Sequence, residues 1–416
     1  MMAVEGPYLA AIIARLPEPT INLAAFGIAL AFAIIIEAPV IMLMSASTAL
    51  VEDRDSFFAL RRFAYGLCIS LTIVQVLVLT PPVFTFLTAV VMNLPSDVSL
   101  LTHQGLTLLL PWPAAVGYRR FQQGLLIRKH LTHRVAYGTG FRLLTMSLSA
   151  IAVYWFLPLD GVHVGTIGLS TGVVVEAVAS RFMTRSVVTE ILHKDSDVLQ
   201  ESNPALHLIN LIKFYVPLGL TSVLALAIQP LLTFFMGQSR NALESLAVFP
   251  IVHGIVFIFR AIGLSYLEVV IALSGNNNEH FKHIRNFAVG LSLATVCTLS
   301  IIAFTPLAEI LLQNVFGLTA QLTTFALPPL QILAVFPALS VLLSLQRGAL
   351  VQSHYTPPIT LATFLEASSV GIALLVTIYH FDLIGISAAA IAFLLGRIVG
   401  NLSLMPTWSR ILDKNS

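Results

Sequence analysis

Phe121-Gln122-Gln123-Gly124-Leu125-Leu126-Ile127-Arg128-Lys129-His130 has a counterpart far downstream in the same chain, Leu345-Gln346-Arg347-Gly348-Ala349-Leu350-Val351-Gln352-Ser353-His354. Pro113-Ala114 stands against Pro337-Ala338 at the same offset. Moving outward, Leu23-Ala24-Ala25-Phe26 matches Leu246-Ala247-Val248-Phe249, Arg62 falls on Arg285, and Thr80-Pro81 on Thr305-Pro306. Phe63-Ala64-Tyr65-Gly66-Leu67 likewise meets Phe287-Ala288-Val289-Gly290-Leu291. Leu and Ala match anywhere in apolar helices, but chance does not place Pro, Gly, Gln and His in register across several loops. The chain is two copies of one unit.

Those copies are built for a membrane. The hydrophobic fraction is 57%, charged residues make up 10%, and mean hydropathy is +0.90. A soluble domain carries about 25% charged residues. Apolar runs such as Ala24–Ser45, Gly254–Leu273 and Ile384–Leu404 reach the roughly 20 residues a helix needs to span a bilayer. A net charge of +2 gives no reason to expect a nucleic-acid partner. Cys68 and Cys297 sit in apolar runs, outside any metal-ligand spacing.

Charge clusters, Pro and Gly divide the chain into spans of roughly 22–50, 63–91, 102–127, 135–158 and 164–188, then 208–237, 242–274, 284–305, 322–352, 356–380 and 383–411. The polar stretch Leu192–His207 reads as a linker between a bundle at 1–191 and a bundle at 208–416. The expected fold is an all-α polytopic membrane protein of two pseudo-symmetric six-helix bundles. Pro7 aligns with Pro230, so Met1 falls inside what should be a first helix. Met1–Leu16 would extend only about 24 Å, short of a span. About 11 full spans are therefore expected, with the first helix truncated. A signal peptide fits poorly, since the stub lacks a basic start.

Basic residues set the orientation. Loops after even-numbered helices, with the C-terminus, hold Arg54, Arg61, Arg62, Arg128, Lys129, Arg134, Arg181, Arg185, Lys194, Lys213, Lys282, Arg285, Arg410 and Lys414, whereas the opposite side holds only Arg15 and Arg240. The positive-inside rule puts the even loops and the C-terminus in the cytoplasm. An even helix count per half makes the repeats parallel.

Within the spans lie Arg119, Arg120, Arg142, Arg260, Arg347 and Arg397, with Glu37, Glu176, Glu268 and Glu366; Glu5 is in the stub. A charge at the bilayer centre costs at least about 2.5–3.5 kcal/mol, so each needs a partner or a cavity. In the repeat register Glu37 is equivalent to Arg260, and Arg142 to Glu366. Two readings follow. Helices two and five of each half line a cleft across which Glu37 and Arg260 meet, or each charge is neutralised inside its own bundle. Arg119 and Arg120 point about 100° apart, so one is expected to face substrate or gate and the other to anchor. Glu268 and Arg347 are expected to snorkel, and Glu176 and Arg397 to stabilise packing. Glu37 and Glu366 are candidates for taking up a coupling proton. Pro113 and Pro337 suggest paired hinges, with Pro39, Pro111, Pro328 and Pro329 bending other helices. His253 reads as a packing residue. Protease, metalloenzyme and phosphate-loop signatures are absent, which argues against an enzyme.

The parallel halves, the basic even loops and the repeated Gln-x-Gly-x-Leu-type fourth helix resemble the MATE family of the MOP flippase superfamily. Lys213-Phe214-Tyr215-Val216-Pro217-Leu218 is similar to the aromatic-x-Pro-Leu start of that family's half-repeats. Pro217-Leu218, Ala247-Val248 and a long eighth helix with Arg260 resemble its progressive-ankylosis-like branch. The resemblance covers essentially the whole chain and implies export of small organic or phosphate-bearing anions. The first-helix Asp of drug and cation exporters has no counterpart here.

The expectation is a monomeric secondary exporter in the inner (cytoplasmic) membrane. It would move a small anionic or zwitterionic solute by alternating access, coupled to H+ or Na+, with no other cofactor. A lipid-linked precursor flippase, a cationic drug antiporter and a non-transporting scaffold are the alternatives. Loops too short for a soluble domain weigh against the scaffold.

Overall fold

A computed structural model of the chain describes residues 5–51, 53–193, 208–273, 281–352 and 357–414. Most of the expected linker, from 194 to 207, lies outside them, as do His354 of the repeated motif and the side chain of Glu268. The described residues contain helices and no strand.

The nine-residue α1 (Glu5–Ile13) precedes eleven long helices. In the first half, α2 runs as Pro19–Glu37, a 3-10 segment Ala38–Met42, and Leu43–Leu50. Next come α3 (Arg54–Leu79), α4 (Ser96–Leu108 and Trp112–Arg128), α5 (Thr132–Phe156) and α6 (Gly161–Met183). The second half comprises α7 (Leu208–Gly237), α8 (Ala242–Leu273), α9 (Phe281–Phe304), α10 (Ala320–Ile332 and Phe336–Gln352), α11 (Pro357–Leu375) and α12 (Gly385–Lys414). Eight of these are long and apolar enough to cross a bilayer by length and composition alone.

The repeat is visible at the level of single hydrogen bonds. After α3 the chain continues through Pro81–Thr85 into a π-helical turn, Phe86–Val91, and after α9 into the equivalent π turn Ile310–Val315. Each ends at a left-handed residue, Asn93 (φ 52°) and Gly317 (φ 74°). The closing bonds correspond too: Leu94 N to Thr88 O, and Leu318 N to Leu312 O, both 2.9 Å. Equivalent left-handed residues, Glu18 and Asn241, precede α2 and α8.

Glycine explains the motif that revealed the repeat. A Cβ on Gly124 would stand 1.8 Å from Ser47 Oγ and 2.4 Å from Met44 O, and one on Gly348 would stand 2.5 Å from Val270 Cγ1. Ser47 and Val270 are themselves equivalent, so the same helix crossing recurs in both halves. Small residues at such crossings let membrane helices approach closely. Gly172 and Gly396 repeat the device between α6 and α5 and between α12 and α11, packing against Arg142 O and Glu366 O. α4 and α10 are both interrupted just before Pro113 and Pro337, where the sequence suggests paired hinges.

Packing divides the chain into two units whose boundaries differ from those of the repeat, Ile28–Pro230 and Met1–Gly27 with Leu231–Ser416. The reason is local. In the second unit α1 packs on α8, with Pro7 against Gly254 and Gly27 against Pro250, and the Arg15 guanidinium donates to Asn314 O at 2.9 Å. In the first unit, the carbonyls freed by the break at Pro39 are taken up from α7. Tyr215 Oη donates to Pro39 O (2.5 Å) and Ser222 Oγ to Ala38 O (2.9 Å).

Candidate functional site

In the first unit, buried charge centres on Glu176 of α6, whose side chain is fully buried. Arg119 Nη1 from α4 donates to its Oε2 at 2.5 Å, and Gln123 Nε2, one turn further along α4, donates to Oε1 at 3.2 Å. Arg142 Nη1 from α5 stands 3.6 Å from the same Oε2. Arg142 also lies over the Trp112 ring, 5.5 Å from guanidinium carbon to centroid. Trp112 in turn donates its Nε1–H to Glu37 Oε2 at 2.5 Å. One continuous polar string therefore runs Glu37, Trp112, Arg142, Glu176, Arg119.

The second unit builds a related string with its polarity reversed. Glu366 on α11 pairs with Arg397 on α12, Nη2 to Oε1 at 3.0 Å, both side chains 4% exposed. That contact is an ion pair by distance, though not aligned as a hydrogen bond. In the first unit the fifth helix carries the guanidinium and the sixth the carboxylate; here the fifth carries the carboxylate and the sixth the guanidinium. Gly400, equivalent to Glu176, leaves the space that Glu366 fills: a Cβ there would stand 3.2 Å from Glu366 Oε2. Arg397 also lies over the Phe336 ring at 5.1 Å.

Arg120 and Arg260 differ from the rest. Both are partly exposed, and among the described residues neither has a carboxylate within ion-pair distance. Arg120 reaches Met44 Sδ at 3.7 Å. Arg260 sits over three phenylalanine faces, Phe257, Phe336 and Phe393, at 5.5 to 5.8 Å. Phe336 and Phe393 are buried, so this guanidinium faces the interior of its unit.

The six candidate residues thus fall into distinct environments. Arg142 and Glu366 each find a partner on the neighbouring sixth helix, the within-bundle alternative. Glu37 and Arg260 belong to different packing units; Glu37 accepts from Trp112, and Arg260 lies over Phe257, Phe336 and Phe393. Arg119 and Arg120 diverge as their 100° separation requires, one into the ion pair and the other without a carboxylate. Arg347, expected to snorkel, donates from Nη2 to Thr363 Oγ1 at 3.0 Å. A side-chain hydroxyl within reach competes with the headgroup region. Glu176 and Arg397, expected to stabilise packing, are each an ion-pair partner of a candidate residue, Glu176 of Arg119 and Arg142 and Arg397 of Glu366. Trp112 and Gln123 were not singled out, and only the polarity of Gln123 in an apolar run marks it.

His253 lies among Phe249, Phe257 and Phe393, with ring centroids at 5.3, 6.0 and 6.1 Å. Beside it is a small cavity with apolar lining from Leu232, Val252, Leu333, Ile386 and Ala389, with room for about one water.

No protein-family model matches the sequence, and a search of curated proteins returns no match. Solved structures do match. An inward-facing multidrug-resistance MATE transporter of the MOP superfamily superposes with TM-score 0.77 at 15% identity, covering 100% of this chain and 96% of its own. The lipid II flippase MurJ, in an inward closed conformation, gives 0.74 at 12% identity, covering 99% and 88%. A MOP superfamily transporter from Pyrococcus furiosus, described as having a binding pocket of reversed polarity, gives 0.57 at 12% identity, covering 99% and 95%. The chain has the fold of the MATE transporters, a fold to which the lipid II flippase MurJ is also similar.

Proposed function

We propose that this chain is a secondary transporter that exports a small anionic or zwitterionic organic solute by alternating access, coupled to an ion gradient. The observation that carries the reading is the surplus of interior arginine, with Arg120 and Arg260 having no carboxylate within ion-pair distance among the described residues. Cation–π contacts are worth about 0.5–2 kcal/mol each. Three of them at the long end of the range offset much, though not all, of the burden of Arg260 at mid-span. An anion supplies the remainder, and a partly exposed guanidinium can reach one. Forked donors suit carboxylate and phosphate oxygens.

Glu37 is the carboxylate that fits coupling. It is partly exposed and has a single neutral donor, Trp112, whereas Glu176 and Glu366 are buried against guanidinium. The test is transport in proteoliposomes with a panel of organic anions and cations, with and without pH and Na+ gradients. Anion transport driven by a pH gradient and lost in Glu37→Gln supports the reading; gradient-driven transport that survives Glu37→Gln removes Glu37 from it.

The MurJ likeness supports a second reading, flipping of a lipid-linked anion. A lipid-linked substrate scrambled between leaflets, with no soluble anion moved, would favour it.

A further inference from the structure

Trp112 joins two parts of the first unit that would otherwise not communicate. Its indole is 5% exposed, and its Nε1–H is committed to Glu37 Oε2 at 2.5 Å. Its ring face carries the Arg142 guanidinium at 5.5 Å. Arg142 is shared, because its Nη1 stands 3.6 Å from Glu176 Oε2, beyond the 2.7–3.2 Å of a formed hydrogen bond. Arg119 already occupies that oxygen at 2.5 Å. The backbone of Arg142 is held by the close approach of Gly172, so adjustment falls to the side chain.

We infer that Trp112 is a positioning residue that transmits the charge state of Glu37 to the Arg119–Arg142–Glu176 cluster. The step is a proton transfer from solvent to Glu37, with no other bond made or broken. While Glu37 is a carboxylate, the indole N–H donates a charge-assisted hydrogen bond. That bond pushes electron density into the ring and strengthens its hold on Arg142. When Glu37 is protonated, the bond becomes one between neutral groups, the ring face becomes less negative, and Arg142 shifts toward Glu176. The other charged groups facing Glu37 are Arg119 and Arg120 from α4 and Arg142 from α5. Titratable groups close by are Tyr215 of α7, hydrogen-bonded to Pro39 O, and Cys68 of α3, packed at Gly117. The inference rests on Glu37 being the coupling carboxylate, yet it is tested without transport.

The chain holds three tryptophans. Replacing Trp155 and Trp408 by Phe leaves Trp112 as the sole indole in the full-length protein. Its fluorescence is then followed against pH in detergent or nanodiscs. One titration step in emission is expected, absent in the same protein carrying Glu37→Gln, whose emission stays at the acid-form level throughout. Glu37→Asp, which keeps the charge, should restore a step. Arg142→Gln should leave the step but alter its amplitude. A flat profile, or a step that survives Glu37→Gln, overturns the inference. A protein that titrates as described but moves no substrate would refute the transport reading and leave this one standing.

Discussion

Glu176 answers two guanidiniums with one carboxylate, and the consequence is asymmetric. Replacing it by Gln strands Arg119 and Arg142 in a low-dielectric interior, where breaking a buried pair costs about 3–5 kcal/mol. Arg119→Gln should cost less, because Arg142 and Gln123 remain on Glu176. Thermal unfolding of the purified protein should rank the variants in that order, with Glu176→Gln well below both Arg119→Gln and the wild type. Equal midpoints for all three would mean the cluster carries no stability. Arg260→Gln, by contrast, removes a charge that has no carboxylate within ion-pair distance among the described residues, and should leave the unfolding midpoint unchanged or raise it.

At the scale of helices, the repeated glycines are where backbone meets backbone. Gly124→Ala must displace Ser47 and press on Met44 O, so overpacking of about 1–3 kcal/mol is expected. Gly66→Ala meets nothing within 4 Å and lies in a helix, where Ala is favoured over Gly by about 1 kcal/mol. Expression and unfolding of the two variants should therefore move in opposite directions. Much of this level was legible in sequence. The Gln-x-Gly register, Thr-Pro at the end of α3 and α9, and the proline pair near the breaks of α4 and α10 all depend on local backbone chemistry that residue identity reports. Side-chain pairing was not legible in the same way. Arg142 and Glu366 are equivalent in register and opposite in charge, and each finds its partner on the helix that follows it. Reach across a helix turn decides a pairing, and register alone does not contain it. The tryptophan between Glu37 and Arg142 left no charge or spacing signal to find.

At the scale of the molecule, two copies of one fold have diverged in charge while keeping their π turns, left-handed residues and glycine crossings. Scaffold is retained where backbone geometry leaves no choice, and polarity is free to invert wherever a carboxylate and a guanidinium can exchange helices. The packing units do not coincide with the copies, since α1 and the start of α2 pack with the second copy's helices. The transport reading proposed above rests on Arg120 and Arg260, which have no carboxylate within ion-pair distance among the described residues. The most direct test is uptake into proteoliposomes of radiolabelled organic anions and cations under an imposed pH gradient, for the wild type, Arg120→Gln and Arg260→Gln. The account predicts that an organic anion is accumulated, that no organic cation is, and that each substitution weakens apparent anion affinity about tenfold, the equivalent of about 1.4 kcal/mol. Accumulation of cations undiminished by either substitution, or no accumulation of any solute, would contradict it.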